Sequence, residues 1–199
     1  MNHQAVVDNL IERVAALSRN AQEALFTCLC EALMPLYRDF GARVGWNDSG
    51  LVEELVQLLR GRIVDSAVDL QFEPMVETLE SVTPHSDDFD TIEVFYAMDA
   101  IGCLDAALRI AAGQRVYPDW VEYALDPMQV YMLSRDRGII APGGSANDLA
   151  MMDELYQTDE MRSVVACVEN AINLLRAENY TSAQLDNAVG LLVSIRPIN

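Results

Sequence analysis

The residues best suited to chemistry are concentrated between positions 84 and 99, where the sequence reads PHSDDFDTIEVFYAMD. This stretch contains His85 and four aspartates, Asp87, Asp88, Asp90 and Asp99. Several carboxylates in one short segment can bind a divalent cation, because hard cations prefer oxygen ligands. The spacing matches no EF-hand loop, so the start of a helix is the competing interpretation.

Helix initiation accounts for most of this acidic cluster. With Asp90 as the N-cap, Glu93 takes the second position of a capping box, and Phe89 and Val94 take the positions of a hydrophobic staple. The two aspartates before Phe89 then lie near the positive end of the helix dipole, where anions are stabilised. We therefore predict a capped helix start without a metal, and keep His85 and the four aspartates as the candidate site.

Asp99 needs a different explanation, because it lies deep inside the predicted helix. At helical spacing its neighbours are Phe95, Tyr96 and Cys103, so its carboxylate is on an apolar face. A carboxylate in such a place must be paired, hydrogen-bonded or protonated. We predict that Asp99 is buried and accepts hydrogen bonds from an arginine or from the backbone of another helix. The alternative is a ligand-binding or catalytic carboxylate.

The four cysteines and two histidines do not form a recognisable cofactor site. Cys28, Cys30, Cys103 and Cys167 lack the paired spacing of a zinc site, so we predict reduced structural thiols. A di-iron site of the ferritin type requires repeated E-x-x-H motifs, and none occurs. We expect no cofactor, and we expect His3 to lie on a frayed N-terminus.

The elements that carry these residues are predicted to be helices throughout. Apolar residues recur at helical spacing, and period-two alternation is nearly absent. We predict an all-α, single-domain bundle, residues 1–199, with eight or nine helices around a central helix near residues 90–113. The loop at 138–145 is its one possible seam. Pro35 is expected to kink its helix, Asp126-Pro127 to interrupt another, and Thr181 to Gln184 to form a capping box.

The charge composition of the chain limits the kinds of partner that it can bind. The net charge is −18, from 31 acidic and 13 basic residues, and all the basic residues are arginine. Such a surface repels phosphate backbones, so we expect no nucleic-acid partner. Adaptation to a salty host is one explanation of the charge, and a face for a basic protein partner is the other. No apolar run approaches a membrane span and no signal peptide is recognisable, so we expect a cytoplasmic protein without membrane contact.

Two motifs resemble the YjaG-like bacterial proteins of unknown function. The first is FTCLCE at 26–31, followed by Pro35 and Tyr37, and the second is PHSDDFD at 84–90, followed by Tyr96 and AMDA at 97–100. The similarity spans roughly residues 10 to 112. It implies a cytoplasmic, all-helical bacterial protein, and it supplies no reaction, ligand or catalytic residue. It further implies a shared frame that includes Cys30, Pro35, Asp88, Asp90 and Asp99.

Three functions are compatible with these patterns. The leading hypothesis is a non-enzymatic helical module that acts through a protein partner or its own dimer, because motifs for catalysis are missing. The first alternative is a Mg²⁺-dependent nucleotide phosphohydrolase of an all-helical type. It would use the acidic pairs Glu53-Glu54, Asp65 with Asp69, and Glu77 with Glu80. The second alternative is a binder of a small apolar ligand that uses the nine methionines and the aromatic residues.

Overall fold

The computed structural model describes residues 2–46, 49–65, 71–138, 146–177 and 179–197. Within these ranges the chain forms nine α-helices, three 3₁₀-helices and no strand, which confirms the predicted all-α fold. The α-helices are α1 His3–Ala15, α2 Arg19–Val44, α3 Ser49–Val64, α4 Phe72–Ser81, α5 Glu93–Ala111, α6 Asp126–Arg137, α7 Ala146–Leu155, α8 Asp159–Leu174 and α9 Ser182–Leu192. The 3₁₀-helices are Ser86–Asp88, Pro118–Ala124 and Val193–Ile195.

Helix α5 is the central element, as the sequence predicts. It is apolar on several sides, and small buried residues such as Ala97, Ala100 and Ala107 allow other helices to approach it closely. Its most extensive partner is α2, and α4, α6 and the 118–124 3₁₀-helix also pack against it. One continuous apolar core takes side chains from all nine of the described α-helices. The single-domain assignment stays a prediction.

Helix α2 is the longest helix and forms the other half of this central pair. It begins at Arg19, where the Ser18 side chain caps it by accepting a hydrogen bond from the Ala21 N–H. The helix continues through Pro35 without a break. It ends at Gly45, whose φ of 75° is a left-handed conformation that favours glycine.

The N-terminus is tied down, so the prediction of a frayed His3 is wrong. The backbone N–H of His3 donates to Oδ1 of Asp153 at 2.8 Å, and its ring Nδ1 lies 3.0 Å from the same oxygen. Asn2 caps the helix by accepting from the Ala5 N–H. The two contacts of His3 join α1 to α7, which is 150 residues further along the sequence.

Two further local predictions concern a capping box and a helix interruption. Thr181 and Gln184 form the predicted capping box, with the Thr181 N–H donating to Oε1 of Gln184 at 2.9 Å. The predicted interruption near Asp126-Pro127 lies at Leu125, between the 118–124 3₁₀-helix and α6. Pro127 itself is in the first turn of α6, where its missing N–H has no partner to lose. The predicted seam at 138–145 has only Gly138, the C-cap of α6, among the described residues. None of the described helices has the length and apolar character required to cross a bilayer.

Candidate functional site

Four of the five predicted site residues lie on the surface. His85, Asp87, Asp88 and Asp90 are exposed, and the short 3₁₀-helix Ser86–Asp88 carries the middle of the group. Among the residues that the structure describes, no three His, Cys, Asp or Glu side chains come together in a way that could hold a metal ion. The structure therefore separates Asp99, which is buried, from the other four.

The predicted capping box at Asp90 is wrong. Helix α5 begins at Glu93, and the residue in the N-cap position makes no side-chain capping bond. The first turn is held instead by the Val94 N–H, which donates to the Thr91 carbonyl at 3.3 Å. Glu93 accepts hydrogen bonds from the Thr91 hydroxyl and from Arg43 of α2, so its carboxylate anchors the helix start to a neighbour.

Phe89 explains why the helix starts late. Its ring packs edge-on against Phe40, with centroids 5.0 Å apart, and against Trp46 at 5.7 Å. The indole N–H of Trp46 donates to the hydroxyl of Tyr37 at 3.1 Å, which extends the cluster into α2. Tertiary packing of Phe89 thus holds the preceding segment in a loop and overrides the local capping signal.

Asp99 is buried as predicted, with 8% of its surface exposed, but its predicted partner is absent. Its Oδ2 is inaccessible to solvent and has no hydrogen-bond partner in the described part of the chain. Burial raises the pKa of Asp99 well above the usual range of an aspartate, and the carboxylate of Asp126 raises it further. Asp99 is therefore an acid that keeps its proton far above the pH at which an exposed aspartate loses it.

Asp126 is a second acid with a raised pKa; it is half-buried, and sequence reasoning missed it. Burial raises its pKa to about 7, with a further contribution from the Glu122 carboxylate. Its Oδ1 accepts a hydrogen bond at 3.3 Å from the side-chain amide of Gln129, which also donates to the hydroxyl of Tyr156 at 3.0 Å. The only sequence signal was its place before Pro127, which suggests a helix start rather than a partner for Asp99.

A cavity of about 290 Å³ is lined by Asp99 and lies between α4, α5 and the 118–124 3₁₀-helix. We call it the Asp99 cavity. Its apolar wall is formed by Leu79 of α4 and by Phe95, Met98 and Ile101 of α5. A cavity with apolar walls and few polar groups is the usual form of a small-molecule site.

Charged residues line another part of the Asp99 cavity. Arg109 donates from Nε to both carboxylate oxygens of Asp105, at 2.9 and 2.7 Å, and the two residues form an ion pair one turn apart on α5. Its Nη2 also lies 3.7 Å from Oε1 of Glu80. Arg109 is therefore held by two carboxylates, and the lining carries more negative than positive groups.

Tyr123 completes the lining, and Gly102 determines how closely its ring can approach. A Cβ atom at position 102 would lie 2.7 Å from Cε2 of Tyr123, closer than atoms can pack. The ring therefore lies directly on the backbone of α5 next to the cavity. The glycine at 102 is required by this contact.

A second, larger cavity of about 480 Å³ lies between α2 and α3. It contains Glu53 and Glu54, the first acidic pair of the phosphohydrolase hypothesis. Glu53 is bound by Arg38 at 2.6 Å in an exposed ion pair. Of the other two pairs, Glu77 and Glu80 lie on the exposed side of α4, and Asp69 is outside the described residues. Within the described residues, these acidic pairs do not come together in a metal site.

All four cysteines are free thiols. Cys28, Cys30 and Cys103 are buried, and burial raises the pKa of Cys28 to about 12 and that of Cys30 further. A buried thiol of this kind is unreactive at neutral pH. These residues pack as small apolar side chains, as predicted.

Comparison with known proteins places the chain among proteins of unknown function. Residues 9–117 match the family described as "Protein of unknown function (DUF416)". The uncharacterized protein YjaG of Escherichia coli (strain K12) is 28% identical over 99 residues, which are 50% of this chain and 48% of that protein. YjaG of Salmonella typhimurium is 24% identical over the same shares of the two chains. The chain thus spans about half the length of these relatives, and the resemblance to YjaG-like proteins is confirmed.

The fold itself is similar over a longer range. A crystal structure of a DUF416 family protein from Shewanella baltica OS155 has a TM-score of 0.73 to this chain. The two sequences are 17% identical, and the similarity covers 92% of each chain. At this identity the comparison establishes a common fold.

Proposed function

We propose that this chain, which belongs to the DUF416 family, is a non-enzymatic module that binds a small, mostly apolar molecule in the Asp99 cavity. One observation supports the proposal: a buried carboxyl group with an unpartnered oxygen lines a cavity that has an apolar wall. A buried polar atom without a partner costs roughly 1–3 kcal/mol, so native proteins keep few of them. A ligand that hydrogen-bonds to Asp99 would remove this cost.

The size of the cavity limits the ligand. At about 290 Å³ it is nearly twice the ~150 Å³ apolar cavity that accommodates benzene, which corresponds to about ten to twelve non-hydrogen atoms. The torsion that orients a carboxyl group is broad and two-fold, so rotation about it can present either oxygen of Asp99. The expected ligand therefore combines an apolar body with one polar group.

The cavity supports binding better than catalysis. Acid–base chemistry requires a second titratable group within reach of the reacting atom. Asp105, the other acid that α5 contributes to the lining, accepts two hydrogen bonds from Arg109 and is already engaged. The described lining contains no histidine, cysteine or serine, and its one threonine hydroxyl, that of Thr83, donates to the Leu79 carbonyl at 2.8 Å.

A protein partner or a homodimer remains our second proposal, and its support is the distribution of charge. The arginines of the described surface are largely occupied by internal ion pairs, for example Arg38 with Glu53 and Arg137 with Glu154. The excess negative charge is thus left free, so a partner should be basic. Free thiols support a reducing, cytoplasmic setting. Light scattering after size exclusion tests the dimer, and a mass above one chain supports it.

Ligand-observed NMR with a fragment library tests the binding site. We expect fragments of about ten to twelve non-hydrogen atoms to bind the wild type. Met98→Trp should abolish their binding, because the larger side chain fills the Asp99 cavity. Gln57→Trp is the matched control, since it places the same side chain at the exposed edge of the other cavity. No bound fragment, or equal binding to Met98→Trp, would refute the proposal.

A further inference from the structure

We infer that the ligand of the Asp99 cavity is a small organic ammonium ion with an aromatic or aliphatic body, an inference that rests on the function proposed above. The inference rests on the acidic and aromatic side chains that lie together in this cavity. Three carboxyl residues, Glu80, Asp99 and Asp105, share it with two aromatic rings, those of Phe95 and Tyr123. Carboxylates beside aromatic faces are the usual means by which proteins bind organic cations.

The charge of the residues that line the cavity disfavours an anionic ligand. Arg109 is the one basic residue among the described lining residues, and it is committed to Asp105 at 2.7 Å with Glu80 nearby at 3.7 Å. Glu80 and Asp105 together outweigh the single positive charge of Arg109, so the lining offers no net positive charge to a carboxylate or phosphate of a ligand. An anion would also approach a chain with a net charge of −18. Electrostatic attraction therefore favours a cation over an anion of the same shape.

The aromatic residues are positioned by the fold and do not depend on the ligand. Tyr123 lies flush against α5 because Gly102 has no side chain to hold it away. Phe95 lies one turn before Asp99 on the same helix, so its ring and the carboxyl group line the same cavity. An ammonium group between them can form a charged hydrogen bond with Asp99 and contact an aromatic ring.

An ammonium ion also satisfies Asp99 better than a neutral group does. Burial and the Asp126 carboxylate raise the pKa of Asp99, so the empty cavity holds a protonated acid. A bound cation restores the carboxylate, and the displaced proton is released to the buffer. The other titratable or charged groups around Asp99 are Asp126 of α6, Tyr96 and Cys103 of α5, Tyr123, and the Glu80–Arg109–Asp105 group.

Three probes of matched shape test the inference by calorimetry: 2-phenylethylamine, 2-phenylethanol and phenylacetate. We expect the amine to bind about tenfold more tightly than the alcohol, or better, and phenylacetate not to bind. Asp99→Asn should remove the preference for the amine, whereas Asp90→Asn, at an exposed position, should keep it. Repeating the titration in buffers of different ionisation enthalpy should show release of up to one proton per amine bound.

The outcomes separate this inference from the proposed function. If the alcohol binds as tightly as the amine, or if library fragments bind while the amine does not, the ligand class is wrong and the binding site stands. If neither the amine nor any library fragment binds, both are overturned. If the amine binds equally to wild type and Asp99→Asn, a site elsewhere on the acidic surface is responsible and the inference fails.

Discussion

Replacing Asp99 with asparagine should make the stability of the protein less sensitive to pH. The pKa of Asp99 is raised in the folded state by burial and by Asp126, whereas the unfolded chain restores the ordinary value near 3.8. Between these two pKa values the folded state binds more protons than the unfolded state. The stabilising effect of that proton is complete below the unfolded-state pKa and is lost as the pH rises toward the folded-state pKa.

The magnitude follows from the linkage relation. Each pH unit in this window lowers the free energy of unfolding of the wild type by about 1.4 kcal/mol relative to Asp99→Asn. Asp126 adds a second contribution, because burial raises its pKa from 3.8 to about 7. Integrated over that range, Asp126→Asn should gain about 4 kcal/mol relative to the wild type by neutral pH. Burying the asparagine amide of either variant has a cost that does not depend on pH. This cost shifts the plot of unfolding free energy against pH but leaves its slope unchanged.

Urea denaturation at a series of pH values measures these slopes. We compare the wild type with Asp99→Asn, Asp126→Asn and the double variant, and use Asp90→Asn as an exposed control that should follow the wild type. A slope for Asp99→Asn that equals the wild-type slope would show that Asp99 titrates normally. An Asp99→Asn variant that loses stability relative to the wild type as the pH rises would show an ionised Asp99 with a cationic partner, contrary to the unpartnered Oδ2 in the structure.

Three further predictions concern the fold and the surface. Arg62→Ala should destabilise the protein by about 3 kcal/mol in urea denaturation, because it leaves the buried carboxylate of Glu23 unpaired. Arg38→Ala breaks an exposed pair and should cost under about 1 kcal/mol. Equal losses of stability in the two variants would contradict this prediction. Thr181→Ala should cost about 1 kcal/mol by removing the N-cap of α9, and an unchanged midpoint would count against the capping box. The melting temperature should rise from low to molar sodium chloride, because salt screens the repulsion of 18 net negative charges, and a flat or falling trend would remove the argument for salt adaptation.

The parts of the fold that the sequence predicts are those determined by nearby residues. Helical periodicity identifies α5 as central, and the capping box at Thr181 forms because both of its partners lie within one turn. The late start of α5 shows the limit of such signals. Asp90 and Glu93 have the spacing of a capping box, but Phe89 packs on Phe40, and this contact determines where the loop ends.

The missed features all depend on contacts that are distant in sequence. His3 binds Asp153, which is 150 residues away, and no local pattern indicates that pairing. The apolar neighbours of Asp99 are enough to predict that it is buried, and its burial is confirmed. Its neighbour Asp126 comes from another helix, however, so the sequence cannot distinguish a carboxylate bound by arginine from an acid that keeps its proton.

The Asp99 cavity joins two parts of the chain that differ in their relation to the family. Asp99 and Phe95 lie within residues 9–117, the range that matches the family, whereas Tyr123 and Asp126 follow that range. The fold of the later part still resembles that of the protein from Shewanella baltica OS155, since the structural similarity covers 92% of the chain. The family segment thus supplies the buried acid, and the following segment supplies the ring and the second acid that determine its environment. Substitutions at Tyr123 or Asp126 should therefore alter which ligand binds, and substitution of Asp99 should remove the polar contact on which binding depends.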